Sequence, residues 1–188
     1  MCATYTYKKD AVREKLREAI TVYGATPRAK IRPTDLGPVV VPECAGLAVR
    51  EYRWGWSVPW EKRPLINAKA ETLTQLPTFK PHLQQRCLLP ADGFYEGGVW
   101  FHQPGEAVFC FAGLWRPLQA ATTGGDVSGC FVMLTTSPNE SVAKFHDRMP
   151  FIVHPDDFTD WLRGDWQRVL TAPDKSPLEK FQKQPELF

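Results

Sequence analysis

The stretch RCLLPADGFYEGGVWFH (residues 86–102) indicates the fold class more clearly than any other part of the chain. It contains three short apolar or aromatic runs, at 86–89, 93–96 and 99–102, and turn residues separate them. Short runs of this kind, bounded by glycine, proline or aspartate, predict β-strands. The stretch therefore predicts consecutive short strands of one sheet.

The same pattern continues in both directions along the chain. Further strands are predicted at 39–41, 47–54, 107–114 and 130–136, and helices at 10–24, 67–76, 139–145 and 155–162. Short strands with helices inserted between them predict a single α+β domain built on a strongly curved sheet. We expect this domain to span residues 1–165, followed at 166–188 by a polar C-terminal extension that is partly disordered.

Composition excludes several classes of protein. The chain has 188 residues, a net charge of +2 and 43% hydrophobic residues, which is ordinary for a globular domain. No apolar run approaches the roughly 20 residues of a membrane span, and the N-terminal MCATYTYKKD lacks the apolar core of a signal peptide. We therefore expect a cytoplasmic protein without membrane contact. A monomer is the default, because no heptad pattern or exposed apolar stripe is evident.

Basic and aromatic residues are interleaved between positions 50 and 69. A strand of nucleic acid needs cations for its phosphates and flat faces for its bases, so this mixture is compatible with nucleic-acid binding. The alternative is a core strand with solvated flanks. The residues concerned are Arg50, Arg53, Lys62, Arg63 and Lys69, with Trp54, Trp56 and Trp60.

The cysteines and histidines do not have the spacing of a metal site. The five cysteines are odd in number and form no CxxC pair, and the four histidines show no metal-ligand spacing. We therefore expect neither a metal nor another cofactor. Cys110 and Cys130 lie in apolar runs typical of a core, whereas the sequence around Cys2 is not apolar.

Cys2 has a chemistry of its own if Met1 is removed. A free N-terminal cysteine carries an α-amine with a reference pKa of about 7.7–8.0 beside a thiol of about 8.5. The amine can form an imine with an aldehyde, and the thiol can then close a durable thiazolidine ring. The alternative is that a cysteine at position 2 is arbitrary.

Three further residues could act on such a substrate, and each has a simpler alternative. Glu96, at a strand end, could exchange protons if burial raises its pKa, or it could be an exposed turn residue. His146, in KFHDRMP, could protonate a sugar oxygen, or it could be a capping residue paired with Asp147. Asn67 could orient a substrate oxygen, or it could simply be a helix N-cap.

Several collinear segments resemble the SOS response-associated peptidase family, whose members act on abasic sites in DNA. The likeness spans about residues 2–163, and its individual pieces would be weak alone. The segments are the initial MC, WGWSVPW (54–60), NAKAETL (67–73), RCLLPADGFYE (86–96), FAGLW (111–115) and TTSPNESVAKFHDRMP (135–150), with RPTDLGPVVV (32–41) as a looser match. The family fold is a compact α+β domain with a barrel-like, mainly antiparallel sheet and peripheral helices.

The resemblance implies a role for each matching residue. Cys2 would form the thiazolidine with the opened deoxyribose, and Asn67 would hold the nucleophile and the sugar. Glu96 would assist imine formation, and His146 would promote ring opening. The partner would be single-stranded DNA that carries an abasic site. The residues expected along the DNA are Pro33, Arg53, Trp54, Gly55, Trp56, Lys69 and Arg148.

The chain also departs from the family pattern at three places. The usual CGR start is Cys2-Ala3-Thr4, so an arginine is missing at position 4. The family segment NARAET is replaced by NAKAET in this chain. Lys69 therefore keeps the positive charge but lacks the forked geometry of arginine. Gly97 stands where a tryptophan often follows the glutamate. We therefore expect the covalent chemistry to persist with weaker or differently oriented DNA binding.

Three functions remain in competition at the level of sequence. The first is a lyase-like DNA–protein crosslinking activity that shields abasic sites as part of a DNA damage response. The second is a cysteine-type peptidase or amidohydrolase with an N-terminal nucleophile, which could remove its own Met1. The third is a non-catalytic single-strand binder, for which Cys2 would be dispensable.

Overall fold

The predicted strands of the central sheet are present and close into a barrel. The computed structural model describes residues 2–7, 20–21, 30–44, 46–104, 108–118, 127–172 and 177–181. The strands are β1 (Tyr5–Thr6), β2 (Ile20–Thr21), β3 (Leu36–Glu43), β4 (Gly46–Trp54), β5 (Trp56–Val58), β6 (Glu61–Leu65), β7 (Asn67–Lys69), β8 (Arg86–Ala91), β9 (Gly93–Glu96), β10 (Val99–His102), β11 (Phe109–Pro117), β12 (Gly129–Thr136), β13 (Met149–Pro150), β14 (Ile152–Val153) and β15 (Glu179–Phe181). The expected α+β class with a curved, barrel-like sheet is therefore confirmed.

Five strands form the barrel, in the order β12, β11, β8, β3 and β4. Their neighbours are antiparallel, except that β12 and β4 pair in parallel through Cys130 with Arg53 and Phe131 with Trp54. That last pairing joins the two ends of the sheet. β8 is buried along its whole length, because its apolar residues face both the inside of the barrel and the elements packed outside it.

A second, four-stranded sheet lies beside the barrel in the order β1, β9, β10 and β15. β9 follows β8 with only Asp92 between them, so the chain passes directly from the barrel into this sheet. β1 pairs with β9 through Tyr5 with Phe94 and Thr6 with Gly93. The N-terminus is therefore held against the strand that ends at Glu96.

Two of the predicted helices are replaced by other structure. Residues 67–69 form strand β7, followed by a 3-10 helix at Ala70–Thr72. β7 pairs with β12, and the Met133 N–H donates to the Ile66 carbonyl at 3.0 Å. This pairing uses main-chain hydrogen-bonding groups that a helix would need for its own bonds. Residues 139–145 form hydrogen-bonded turns instead of the predicted helix, and Asn139 Oδ1 accepts from the N–H groups of Ser141 and Val142. These side-chain bonds satisfy the N–H groups at the start of the turns.

The other predicted helices have different outcomes. The prediction at 155–162 is confirmed as a 3-10 turn, Pro155–Asp157, that continues into helix α1, Phe158–Arg163. Most of the predicted helix at 10–24 lies outside the described residues, and its end is wrong because residues 20–21 pair with β4 as strand β2.

Two elements beyond residue 165 were not predicted. Helix α2, Trp166–Thr171, begins after Asp165, whose side chain accepts from the Arg168 N–H. Strand β15 pairs with β10. The division of the chain at residue 165 stays a prediction. Among the described residues, no helix has the length and apolar character needed to cross a membrane.

Candidate active site

The four residues predicted to be catalytic come from four separate segments, and the fold brings them together. Cys2 precedes β1, Asn67 begins β7, Glu96 ends β9 and His146 lies shortly before β13. Asn67 Nδ2 donates to the Cys2 carbonyl at 2.8 Å, and His146 Nε2 lies 3.8 Å from Glu96 Oε2. The negative charge of Glu96 also acts on the Cys2 thiol. A thiol, a carboxyl group, an imidazole and an amide therefore share one site.

Cys2 is fully buried although its sequence neighbours are not apolar. Its burial is a tertiary effect, because the Tyr95 N–H donates to the Thr4 carbonyl at 3.0 Å and draws the N-terminal segment onto β9. Burial raises the pKa of the Cys2 thiol to about 12, and the nearby Glu96 carboxylate acts in the same direction. The chain still carries Met1, so the Cys2 nitrogen is an amide here.

Asn67 is a strand residue, so its alternative assignment as a helix N-cap is wrong. Its side-chain nitrogen is used by the Cys2 carbonyl. Its Oδ1 atom is buried, and no group within the described part of the chain forms a hydrogen bond to it. Unpartnered buried acceptors are costly and therefore uncommon in folded proteins. The arrangement leaves one acceptor available for a donor group of a substrate.

Glu96 is only 3% exposed, which excludes its assignment as an exposed turn residue. Burial raises the pKa of its carboxyl group, while the neighbouring His146 opposes this increase. Gly97 follows with φ of +55°, and a Cβ there would lie 2.8 Å from the Phe145 carbonyl oxygen. The close approach of the loop that carries His146 therefore leaves no room for a larger residue after Glu96.

His146 lies close to Asp147, Arg148 and Glu96. Its Nδ1 lies 2.9 Å from Asp147 Oδ1, as the capping alternative required. The Arg148 backbone N–H donates to the same Nδ1 at 2.9 Å, and the Arg148 carbonyl oxygen lies 3.2 Å from it, while Nε2 faces Glu96. A neutral imidazole that accepts at Nδ1 carries its proton at Nε2. The ring can therefore present a proton towards Glu96 and the space beside Cys2.

The chain is similar in sequence to proteins of one family. The sequence profile described as SOS response associated peptidase (SRAP) matches residues 1–185. The chain belongs to this family. Among SRAP relatives it is 31% identical to the abasic site processing protein YoaM of Bacillus subtilis, over 83% of this chain and 77% of that protein. It is 30% identical to YoqW of the same organism, also named an abasic site processing protein, over 83% and 78% of the two chains.

A solved structure has the same fold as this SRAP chain. A protein from Bordetella bronchiseptica aligns with a TM-score of 0.77 over 95% of this chain and 98% of that chain. The two sequences are 24% identical, so this likeness concerns the fold alone.

Two tryptophans expected along the DNA are core residues in this SRAP domain. Trp54 is fully buried, and its indole N–H donates to the Ile66 carbonyl at 2.8 Å. Trp56 is also fully buried, donates to the Cys130 carbonyl and lies under the Arg116 guanidinium. Neither ring has a face open to a base in this structure, so contact of these two residues with DNA stays a prediction. Trp60, at the turn between β5 and β6, is 68% exposed.

The other residues expected along the DNA occupy different environments. Lys69 is exposed at the end of β7, and Pro33 is half-buried in the turn before β3. Arg53 Nη1 donates to the Thr34 carbonyl at 2.8 Å. Gly55 is buried with φ of +123°, and a Cβ there would lie 2.9 Å from Pro64 Cβ. The structure does not test whether any of them touches DNA, and that role stays a prediction.

Arg148 is ion-paired within the protein. Its guanidinium donates to both carboxylate oxygens of Glu71 at 2.8 Å, and its side chain is only 16% exposed. Sequence analysis did not single out Glu71, although it lies in the same NAKAET segment as Asn67. The signal that could have identified Glu71 was its position in this segment, four residues after Asn67. Over the ranges that the structure describes, no group of three or more potential ligands could hold a metal ion.

Proposed function

We propose that this SRAP-family chain processes abasic sites by forming a covalent thiazolidine with them in single-stranded DNA, through Cys2 after removal of Met1. The observation that supports this most is the shared site of Cys2, Asn67, Glu96 and His146. The names of the relatives, which are abasic site processing proteins, support the substrate. The crosslink would protect the lesion as part of the response to DNA damage.

The proposed reaction needs proton transfer at three points. An abasic deoxyribose must open from its cyclic hemiacetal to an aldehyde, and in this proposal His146, whose Nε2 lies 3.8 Å from Glu96, protonates the departing ring oxygen. The Cys2 amine then adds to the aldehyde carbon and water is lost, which gives an imine. The thiol sulfur adds to the imine carbon, its proton passes to the nitrogen, and the five-membered ring closes. Glu96 can accept and return these protons, because burial raises its pKa.

The state of the Cys2 thiol favours this order of events over peptidase chemistry. A cysteine peptidase attacks with a thiolate. Burial and the nearby Glu96 carboxylate raise the pKa of this thiol in the Met1-bearing chain, so the thiol is protonated at pH 7. An α-amine needs no such activation near neutral pH, since its reference pKa is about 7.7–8.0. The amine is therefore the better first nucleophile, and the thiol follows once the electrophilic imine lies beside it.

The test is adduct formation with an oligonucleotide that carries one abasic site. We expect a heat-stable shifted band on a denaturing gel with abasic single-stranded DNA, and none with intact DNA. Cys2→Ala retains the amine, so it should give only a reversible imine that borohydride reduction traps. A chain with an N-terminal extension that blocks the Cys2 nitrogen should give neither product, and mass spectrometry checks the N-terminus in each sample.

Each outcome bears on a different part of the proposal. A heat-stable adduct of Cys2→Ala would eliminate the thiazolidine, because that variant has no sulfur to close the ring. An adduct of the blocked chain would eliminate the amine as nucleophile. If the processed wild-type chain forms no adduct, the crosslinking function itself is wrong. A duplex with the same lesion tests the preference for single strands, which requires slower reaction of the duplex.

A further inference from the structure

One ion pair connects the segments that carry Asn67 and His146. The C-terminal end of β12 lies between β7 and β13, since Thr135 is paired with Lys69 on one side and Pro150 on the other. Glu71 follows β7, and Arg148 immediately precedes β13. The Arg148 guanidinium donates to both Glu71 carboxylate oxygens at 2.8 Å and, through Nη2, to the Thr135 carbonyl at 2.6 Å. The ends of three neighbouring strands are therefore bound to one another.

The backbone of Arg148 in turn contacts His146. The Arg148 N–H donates to His146 Nδ1 at 2.9 Å, which favours the neutral tautomer with its proton on Nε2. That proton faces Glu96. Two acceptors would instead favour a proton on Nδ1, namely Asp147 Oδ1, whose side chain is 87% exposed, and the Arg148 carbonyl oxygen at 3.2 Å. The position of the Arg148 backbone thus helps to decide which nitrogen of His146 carries the proton.

The chemistry of the pair suits a positioning role. Two parallel N–H···O bonds between a guanidinium and a carboxylate fix orientation as well as distance. The Arg148 hydrogen bonds lower the pKa of the Glu71 carboxyl group, so it is charged at neutral pH. Arg148 is 16% exposed and Glu71 46%, so water reaches the acid more easily than the base. A phosphate would have to displace Glu71 before it could use the same guanidinium edge.

We propose that Glu71 is a positioning residue, which acts through Arg148 to place His146 and to select its Nε2–H tautomer. This inference rests on the proposed crosslinking function for its kinetic consequence, but not for the tautomer itself. It also gives Arg148 a role within the protein, which is separate from the contact with DNA phosphate expected from the sequence. Because general acid–base groups contribute about 10²–10⁴-fold to a rate, partial misplacement of His146 should cost roughly tenfold.

The kinetic test compares Glu71→Gln with Glu140→Gln, which removes the same charge from an exposed glutamate. We expect Glu71→Gln to slow adduct formation roughly tenfold at saturating abasic DNA, with less than a twofold change in the DNA concentration that half-saturates the rate. Glu71→Asp, which keeps the carboxylate, should recover part of the rate. In a His146→Ala background the Glu71→Gln substitution should have no further effect, because both changes remove the same contribution.

Three results would overturn the inference. An unchanged rate would mean that the pair is only a surface contact. Tighter DNA binding with an unchanged saturating rate would mean that Glu71 competes with phosphate for Arg148. An equal loss with and without His146 would mean that the pair acts on the fold and not on the imidazole.

A second measurement needs no DNA and separates this inference from the crosslinking function. Nitrogen-15 NMR of the His146 imidazole, at a pH where the ring is neutral, distinguishes the two tautomers by their nitrogen shifts. We expect the Nε2–H form in the wild type and a mixture in Glu71→Gln, with Glu140→Gln like the wild type. If the tautomer is the same in all three, the inference fails even where adducts form. If no adduct forms in any of them, the tautomer still decides the inference.

Discussion

Replacement of Arg86 by methionine should destabilise the fold substantially, because this cation binds helix α1 to the barrel. Arg86 begins β8 and is only 4% exposed. Its guanidinium donates to the backbone carbonyls of Trp161 at 2.5 Å and Leu162 at 3.3 Å, and also to that of Leu83. It lies 5.5 Å from the centre of the Trp166 ring of α2. All three hydrogen-bond acceptors are neutral.

The size of the effect follows from the acceptors that the substitution leaves behind. Methionine keeps the apolar stem but leaves three carbonyl groups without their hydrogen-bond donor. Each such group costs about 1–3 kcal/mol when it is buried without a partner. Partial relaxation and access of water reduce the sum, so we expect a loss of about 3–5 kcal/mol in the free energy of unfolding. For a domain of this size that corresponds to a fall of roughly 6–20 °C in the midpoint of thermal unfolding.

The matched control is Arg168→Met in helix α2. Arg168 pairs with the carboxylates of both Asp157 and Asp160, but its side chain is 49% exposed. Exposed ion pairs contribute little, because water already solvates both charges. Circular dichroism during heating and urea unfolding would compare the two variants with the wild type. A larger loss for Arg168→Met, or a loss below about 1 kcal/mol for Arg86→Met, would refute the reasoning from burial.

Two further predictions concern the site. Burial raises the pKa of Glu96 in the folded state, so its stabilising contribution is complete below its unfolded pKa and is lost as the pH rises through the folded pKa. Glu96→Gln should therefore unfold at a higher temperature than the wild type at pH 7, and this gain in stability should vanish at acid pH. The same substitution should slow adduct formation. An equal gain in stability at both pH values would contradict the prediction. Lys69→Arg should strengthen binding to single-stranded DNA in a filter-binding assay, because arginine adds forked phosphate contacts at an exposed position; equal affinity would contradict the expected effect of the lysine.

The strands were predictable because their signal is local. Apolar runs of four to eight residues between turn residues identified β8, β9, β10, β11 and β12, with errors mainly at their ends. Closure of the barrel was not predictable in the same way, because the parallel pairing of β12 with β4 joins residues about 77 positions apart. Such a pairing depends on the packing of the whole sheet, and no local pattern encodes it.

The candidate site shows a similar division. The residue types and motifs singled out Cys2, Asn67, Glu96 and His146, whose catalytic roles stay a prediction, and only the fold shows that they lie together. Sequence left burial open. Trp54 and Trp56 were considered either as faces for nucleic-acid bases or as part of a core strand with solvated flanks. Both rings are fully buried, Trp54 at the end of β4 and Trp56 at the start of β5, and this outcome depends on tertiary packing. The helix expected after Asn67 failed for a related reason, since strand pairing outweighed local propensity.

If the proposed function is correct, the second sheet holds the reactive chain terminus in place. Terminal residues are poorly ordered unless other elements hold them, and a nucleophile must be placed to within a fraction of an ångström. β1 pairs with β9, and continuing that register past Tyr5 with Phe94 places residue 3 opposite Glu96. Asn67 holds the Cys2 carbonyl from the barrel side. The N-terminal segment is thus held by β9 on one side and by Asn67 on the other. The reacting nitrogen in the proposal belongs to the backbone, so fixing the backbone is enough to position it.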